Sequence, residues 1–599
     1  MKQKKIPETE LSMKDFCKTV SLGKVVIIIV YGSVLLLISA CGANTHSPAS
    51  ESSVSINSGS LVGFDNDHNT YAWQGIPYAQ APVGELRWRA PRPNTQWIGT
   101  LQALAHGPAC IQPPNPTAGD NAPEHGSVVG AEDCLTLNVY APKSAIQSDS
   151  KLPVMFWIHG GANIVGSAQQ YNGALLAGTH NVVVVTINYR LGLLGWLRHS
   201  ALREVGASPE DHSGNFGTLD IVAALHWVQD NIAAFGGNPD KVTVFGESAG
   251  GRNTWSMVQT PLAKGLFHGA IVQSGSLKIM DAEKSESIDS DAPDYPSYQN
   301  NGSEIVGKLV PAFASLGATE LAARLRQKTP DEIYSQVTQH PQGMYEQPRL
   351  FLDGHVFTEP ALSLFNDPAK YNAVPIITGS NRDEDKLFMA FDDQWVNFRL
   401  GFLAKVKDKD RYNKAAAFGA DTWRYYSVDK PAEVISENGG PSVYTYRFDF
   451  DDLSDELIDL PVLMGAAHAM EIPFVFGSHA TMPWRFLFRN KEQRSDLSAA
   501  MMSYWAEFAY SGDPASGRDG QLPVWQAHGE RIMLFDTDND GGVRMVREPV
   551  NIDDIKQRLI NDEAFSRKER CEAYPKLWLN GYMVTDAYDS AEHAALCDL

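Results

Sequence analysis

The chain has 599 residues, 43% of them hydrophobic, which is enough to bury a large core and makes it a globular protein. Its 71 acidic residues outnumber 50 basic ones and leave a formal net charge of -21. That balance excludes a protein that grips phosphate backbones or anionic headgroups by electrostatics, so nucleic acid is not an expected partner, while acidity by itself names no substrate.

Lys2, Lys4, Lys5, Lys14, Lys18 and Lys24 precede the apolar run "VVIIIVYGSVLLLI" at residues 25–38. A basic segment, an apolar core and then small residues predict an export signal over residues 1–40. The run is shorter than the roughly 20 residues that a permanent spanning helix needs, which makes an uncleaved anchor the weaker reading. "ISAC" at residues 38–41 resembles the lipobox of bacterial lipoproteins, with Cys41 as the lipidated first residue of the mature chain; the alternative is an ordinary secretory signal with an incidental cysteine. Residues 41–60 are Ser-rich and predict a flexible tether, and residues 61–599 a single catalytic domain. The expected location is therefore outside the cytoplasm, either tethered in the periplasm or at the outer membrane, or released. Membrane contact is expected only through the lipid anchor.

With Cys17 in the segment to be removed and Cys41 used for lipid, Cys110, Cys134, Cys571 and Cys597 remain. Local pairing of Cys110 with Cys134 and of Cys571 with Cys597 suits an oxidising compartment, although four cysteines allow other connectivities. No CxxC pair or Cys/His cluster points to a metal.

In the body, "VMFWI" (154–158), "VVVVTI" (182–187), "VTVF" (242–245), "GAIV" (269–272) and "PIITG" (375–379) are short apolar runs of the kind that forms strands buried on both faces. "FWIHGGAN" (156–163) continues the first of them into a glycine-rich loop. Its backbone N–H groups, at Gly161 and Ala162, are free of large side chains and can point at a developing oxyanion. Between strands, "GTLDIVAALHWVQDNIAAFGG" carries Leu219, Val222, Ala223 and Trp227 at helical spacing and stops at Gly236 and Gly237. Strands alternating with helices predict an α/β fold with a large, mostly parallel central sheet, whose loops at the strand C-termini are the natural place for chemistry.

"VTVFGESAGG" (242–251) then runs from strand through a tight turn into a helix, the context that a G-x-S-x-G nucleophile elbow requires. Gly246 and Gly250 remove Cβ atoms where the chain doubles back, which lifts Ser248 off the sheet edge, and Ala249 supplies a third candidate oxyanion N–H. Glu247 reads as a supporting residue that tunes electrostatics or bonds nearby backbone. Ser274 in "QSGS" reads as a buried hydrogen-bonding residue rather than a second nucleophile.

"GIPYAQAPVGELRW", "EDCLTLNVYAP", "IHGGA", "TINYRLG", "NFGTLDIVAALHWVQDNIAAFGGNPDKVTVFGESAGG" and "AIVQSGS" together resemble the type-B carboxylesterase and cholinesterase family of α/β-hydrolases, over about residues 73–525. The resemblance implies the α/β-hydrolase fold, a disulfide loop with Cys134 as one half, and serine ester hydrolysis without a cofactor. It implies Glu384 in "GSNRDEDKLF" as the triad carboxylate, with Asp383 and Asp385 as nearest rivals, and His468 in "GAAHAMEIPFVFG" as the base. The chain order serine, acid, histidine agrees with that fold. The implied partner is a small-molecule ester; oligomeric state is left open.

Three departures bear on substrate. Ala162 stands where the family often has glycine, and Asn163 where an aromatic is common, so both are expected to alter the pocket near the acyl carbon. The loop between Cys110 and Cys134 lacks the aromatic that cholinesterases use for quaternary ammonium, which disfavours a choline ester. Amidase or carbamate hydrolysis is the alternative chemistry for the same triad, and a non-catalytic adhesion protein the alternative class. "DTDNDGG" (536–542) imitates half of a calcium loop, but Arg547 stands where a bidentate glutamate is needed, and flanking "IMLF" and "VRMV" predict a hairpin.

Overall fold

A computed structural model describes residues 46–114, 127–148, 150–292, 295–337, 345–399, 403–478, 484–529, 531–574 and 590–597. The expected signal, Cys41 and the middle of the loop between Cys110 and Cys134 lie outside the described residues.

Eleven strands form one sheet. In chain order they are β1 (Phe64–Asn66), β2 (Thr70–Pro77), β3 (Thr136–Pro142), β4 (Leu152–Ile158), β5 (Val183–Ile187), β6 (Gly237–Glu247), β7 (Gly269–Gln273), β8 (Ile376–Asn381), β9 (Val443–Phe448), β10 (Ile532–Phe535) and β11 (Arg544–Val546). Across the sheet the order is β11-β10-β9-β8-β7-β6-β4-β5-β3-β2-β1. Neighbours from β5 to β10 run parallel, and the pairs at both edges run antiparallel. Each of the five apolar runs expected to be strands lies in this parallel centre. Successive residues fall into different cores: Phe156 and Ile158 pack in one cluster, Met155 and Trp157 in the other. A strand sandwiched in this way has no face that tolerates a polar residue, which is why these segments are continuous hydrophobic runs without alternation.

Helix α1 (Phe216–Asn231) covers one face, with Leu219, Val222 and Trp227 in the core, and it ends through a 3-10 turn at Gly236, whose φ of 77° is left-handed. Asp220 on α1 accepts a bidentate pair from Arg190 (2.8 and 2.7 Å), both groups being buried, and so ties the "TINYRLG" loop to this helix. The late hairpin forms as expected, β10 pairing antiparallel with β11 around the turn at Asp538–Asp540.

Residues 46–60 do not form the flexible tether that composition suggested. Ser52 is fully buried and accepts from the Gly63 N–H at 2.9 Å, and Val54–Ile56 pairs with Gly59–Val62, which in turn pairs with Thr100–Gln102. Serine richness masked a short hairpin in which Val54 and Leu61 face the core, so among the described residues the folded body begins by residue 46. No described helix is long and apolar enough to cross a membrane.

Cys110 pairs with Cys134 and Cys571 with Cys597. His593 lies beside the second bridge, with Nε2 3.9 Å from Cys571 Sγ, but both sulfurs there are committed to the disulfide. The Cys110–Cys134 bridge closes a span of 24 residues, so the Cys110→Ser, Cys134→Ser double variant should lose about 3 kcal/mol of stability. Urea unfolding under non-reducing conditions checks this, and an unchanged midpoint would contradict it.

Candidate active site

Strand β6 delivers the chain to Ser248 and helix α2 (Ala249–Gln259) departs from it at once, with Ser248 as N-cap at φ 58°, ψ -119°. A non-glycine residue in this region is strained by about 1–3 kcal/mol and persists only where its surroundings enforce it. Here the enforcement is a close backbone approach. A Cβ on Gly250 would overlap the Ile158 carbonyl at the end of β4, and one on Gly246 would come within 2.6 Å of both Gly250 and Ile158. The Ser248 N–H donates to the Gln273 carbonyl (2.9 Å) and its carbonyl accepts from Arg252 N–H (2.8 Å), so the serine is clamped between β7 and the first turn of α2.

The loop after β4 turns on Gly161 (φ 100°), Ala162 (φ 56°) and Asn163 (φ 59°), three consecutive residues in positive φ. The Gly161 carbonyl accepts from Ile164 and Val165 (2.9 and 3.0 Å). Among the described residues the N–H groups of Gly161 and Ala162 donate to no protein acceptor, and Ala249, first in its helix, has no intrahelical one. Asn163 does not behave as expected: it is fully buried, bonded to Asn253 (2.9 Å) and to the Tyr189 hydroxyl (3.2 Å). Its amide braces the loop from beneath and contributes no polarity to the pocket, because left-handed backbone at 163 directs the chain back into the protein.

His468, buried, places Nδ1 2.5 Å from Glu384 Oε2. The other oxygen, Glu384 Oε1, accepts from Ser274 Oγ (2.5 Å) and the Asn381 N–H (2.7 Å). Thus Ser274 is the buried hydrogen-bonding residue expected, and its partner is the candidate triad acid. Nε2 of His468 lies 3.1 Å from Glu247 Oε1, yet neither atom makes a hydrogen bond there, and none joins Nε2 to Ser248 Oγ. Glu247 therefore faces the imidazole rather than the backbone. A third buried carboxylate, Glu471, accepts from Asn381 Nδ2 (2.7 Å) and Gln273 Nε2 (3.1 Å), and Trp505 Nε1 donates to Gln273 Oε1 (3.1 Å).

Burial disfavours imidazolium, but the carboxylates of Glu247 and Glu384 outweigh it and raise the His468 pKa above its ordinary value. Burial likewise lifts Glu247 to about 8, opposed by His468 and reinforced by Glu471 and Glu384. Burial also raises Glu471.

The rivals to Glu384 are engaged elsewhere. Asp383 pairs with Arg382 (2.8 Å) and Lys386 (3.0 Å) and accepts from Ala466 N–H, while Asp385 packs beside Gly419. Two aromatic residues carried no sequence signal: Phe388 and Trp423, stacked on each other, pack against His468 with ring centroids at 5.5 and 5.0 Å. Trp423 lies at the end of a helix (Lys409–Arg424) that passes into a π-turn (Tyr425–Asp429), and nothing in its local pattern distinguishes it from a core tryptophan.

Comparison with known proteins bears on this arrangement. The profile of a family described as "Carboxylesterase family" matches residues 50–417 and 404–551. The para-nitrobenzyl esterase of Bacillus subtilis (strain 168) is 32% identical over 479 residues, covering 78% of this chain and 90% of that protein. The cocaine esterase of Homo sapiens is 31% identical over 539 residues, covering 82% and 88%. Among solved structures, the Geobacillus stearothermophilus carboxylesterase EST55 superposes with a TM-score of 0.63 at 27% identity, covering 83% of this chain and 98% of that one.

The electrostatics yield a test independent of turnover. Glu247→Gln removes one of the two carboxylates that hold the imidazolium, so the His468 pKa should fall by about 1 to 3 pH units, as followed by NMR titration of its ring. An unmoved titration would show that Glu247 exerts no field there.

Proposed function

We propose, from the premise that this chain belongs to the carboxylesterase family and is a carboxylic ester hydrolase, that Ser248 is its nucleophile, His468 the base and Glu384 the carboxylate that orients the base. The observation that carries this reading is the state of His468: Nδ1 is bound to Glu384, while Nε2 is buried, without a hydrogen bond and beside the residue that precedes Ser248. That nitrogen feels the Glu247 carboxylate 3.1 Å away but makes no hydrogen bond, so its hydrogen-bonding capacity is unspent. It becomes useful when a substrate seats the Ser248 hydroxyl against it.

The steps follow from those positions. Ser248 Oγ bonds to the ester carbonyl carbon as its proton passes to His468 Nε2, and the carbonyl oxygen becomes an oxyanion. N–H groups of Gly161, Ala162 and Ala249, not otherwise engaged, support an oxyanion hole formed in advance of the substrate. Nε2 returns the proton to the departing alkoxide as the C–O bond breaks. Water then enters, loses its proton to Nε2, attacks the acyl carbon and releases the acid, and Ser248 Oγ recovers the proton. Glu384 keeps its charge throughout and stabilises the transient imidazolium, and Ser274 and Asn381 hold that carboxylate in place. Phe388 and Trp423 wall the histidine and shape what can approach it.

We also read the N-terminal features as export with lipid attached at Cys41, a reading that the two disulfides support. Metabolic labelling with palmitate in a bacterial host should mark the wild type and not Cys41→Ser; equal labelling would reject Cys41.

With 4-nitrophenyl butyrate, Ser248→Ala should lower kcat by on the order of 10⁴-fold or more. Gly161→Ala, whose methyl would overlap the Val165 carbonyl, should displace the loop and cost about 10²–10³-fold. Full turnover by Ser248→Ala would remove the serine from the mechanism.

A further inference from the structure

The two halves of the candidate oxyanion hole stand on different elements. Gly161 and Ala162 belong to the loop after β4, and Ala249 opens α2. Asn253 lies four residues along α2 from Ala249, one turn further on the same helix face. Its side chain meets the loop: Asn253 Nδ2 donates to Asn163 Oδ1 at 2.9 Å, and Asn163 Nδ2 donates back to Asn253 Oδ1 at 3.4 Å. Both residues are fully buried, and the exchange engages both ends of each amide.

The loop end of this link is itself anchored. The Asn163 carbonyl accepts from the Gly192 N–H (2.7 Å). The Tyr189 hydroxyl lies 3.2 Å from Asn163 Oδ1 and donates to the His159 carbonyl at 2.7 Å, while its ring stacks on that of His159 with centroids 4.5 Å apart. The path of the loop is costly for its composition. Ala162 and Asn163 both take a left-handed φ, which alanine disfavours and asparagine only tolerates, so a restraint from outside the loop has to keep it there. Space-filling does not account for the amide pair. Two apolar side chains would fill the gap without burying polar atoms, whereas reciprocal amide bonds fix distance and orientation together.

We propose that Asn253 is a positioning residue for ester hydrolysis: through Asn163 it fixes Gly161 and Ala162 against Ala249, so that three N–H groups converge on one oxyanion. The proposal rests on Ser248 as nucleophile and on those three donors, and adds the side chain that keeps the donors aligned. With both ends of its amide engaged, Asn253 acts on the reaction only through the loop. Its effect is large where negative charge develops on the carbonyl oxygen and small where a neutral carbonyl binds, because misaligned N–H groups lose most against a charged acceptor.

Two inhibitors of nearly one shape separate these states. Butyl trifluoromethyl ketone accepts Ser248 Oγ at its carbonyl carbon and then carries an oxyanion, whereas butyl methyl ketone binds as the free carbonyl. Asn253→Ala should weaken inhibition by the trifluoromethyl ketone and lower kcat/KM for 4-nitrophenyl butyrate by a similar factor, about 10- to 100-fold, with the plain ketone moved by less than about threefold. Asn163→Gly supplies a second readout should Asn253→Ala fail to fold. Glycine accepts the left-handed φ but has no amide, so the same loss is expected, and the two changes combined should cost no more than either alone. Unweakened inhibition by the trifluoromethyl ketone in either variant, or equal loss of affinity for the two ketones, overturns the proposal. Turnover of 4-nitrophenyl butyrate that survives Ser248→Ala would instead bring down the nucleophile assignment, and this inference with it.

Discussion

The structure turns on one close approach of backbone to backbone, where the first turn of α2 meets the end of β4 and leaves no room for a Cβ on Gly250 against the Ile158 carbonyl. Because the two segments touch, Ser248 has to take a left-handed φ, the helix has to begin without a linking residue, and the loop that follows Ile158 has to pass directly over the serine. Ser248, the candidate nucleophile, and the candidate oxyanion donors are thereby fixed relative to each other by main chain alone. Side chains could not hold such a geometry as tightly, since each would add rotatable bonds between the scaffold and the reacting atoms.

Around this steric centre the protein gathers charge that water would ordinarily disperse. Glu247, Glu384 and Glu471 are all buried near one imidazole, and each is supported differently: Glu384 by Ser274 and Asn381, Glu471 by Asn381 and Gln273, Glu247 by the histidine that it faces. Concentrated negative charge favours imidazolium, the species that a proton-accepting histidine becomes during acyl transfer.

Much of this was legible in the residues. The five apolar runs, the helix ending at Gly236 and the glycines around Ser248 are local patterns, and each reflects a short-range demand: burial on both faces, a left-handed stop, a turn without Cβ. Ser274 was recognisable as buried and hydrogen-bonded, although its partner was not. Residues 46–60 were misleading because serine content signals a linker whether or not Val54 and Leu61 find a core. Asn163 misled in another way, since the direction of its amide depends on a left-handed φ that asparagine permits and does not require.

By itself the sequence determined the class of fold, the family and the residue types available for ester hydrolysis, because strand burial, glycine turns and cysteine content act over a few neighbouring positions. Only the tertiary structure decided that Glu247 faces His468, that Trp423 and Phe388 pack on its ring, and that Met280 pairs with Phe351. Those meetings depend on which strand lies beside which and in what register, and register is settled by the packing of the whole sheet and its ladders rather than by the residues at either contact.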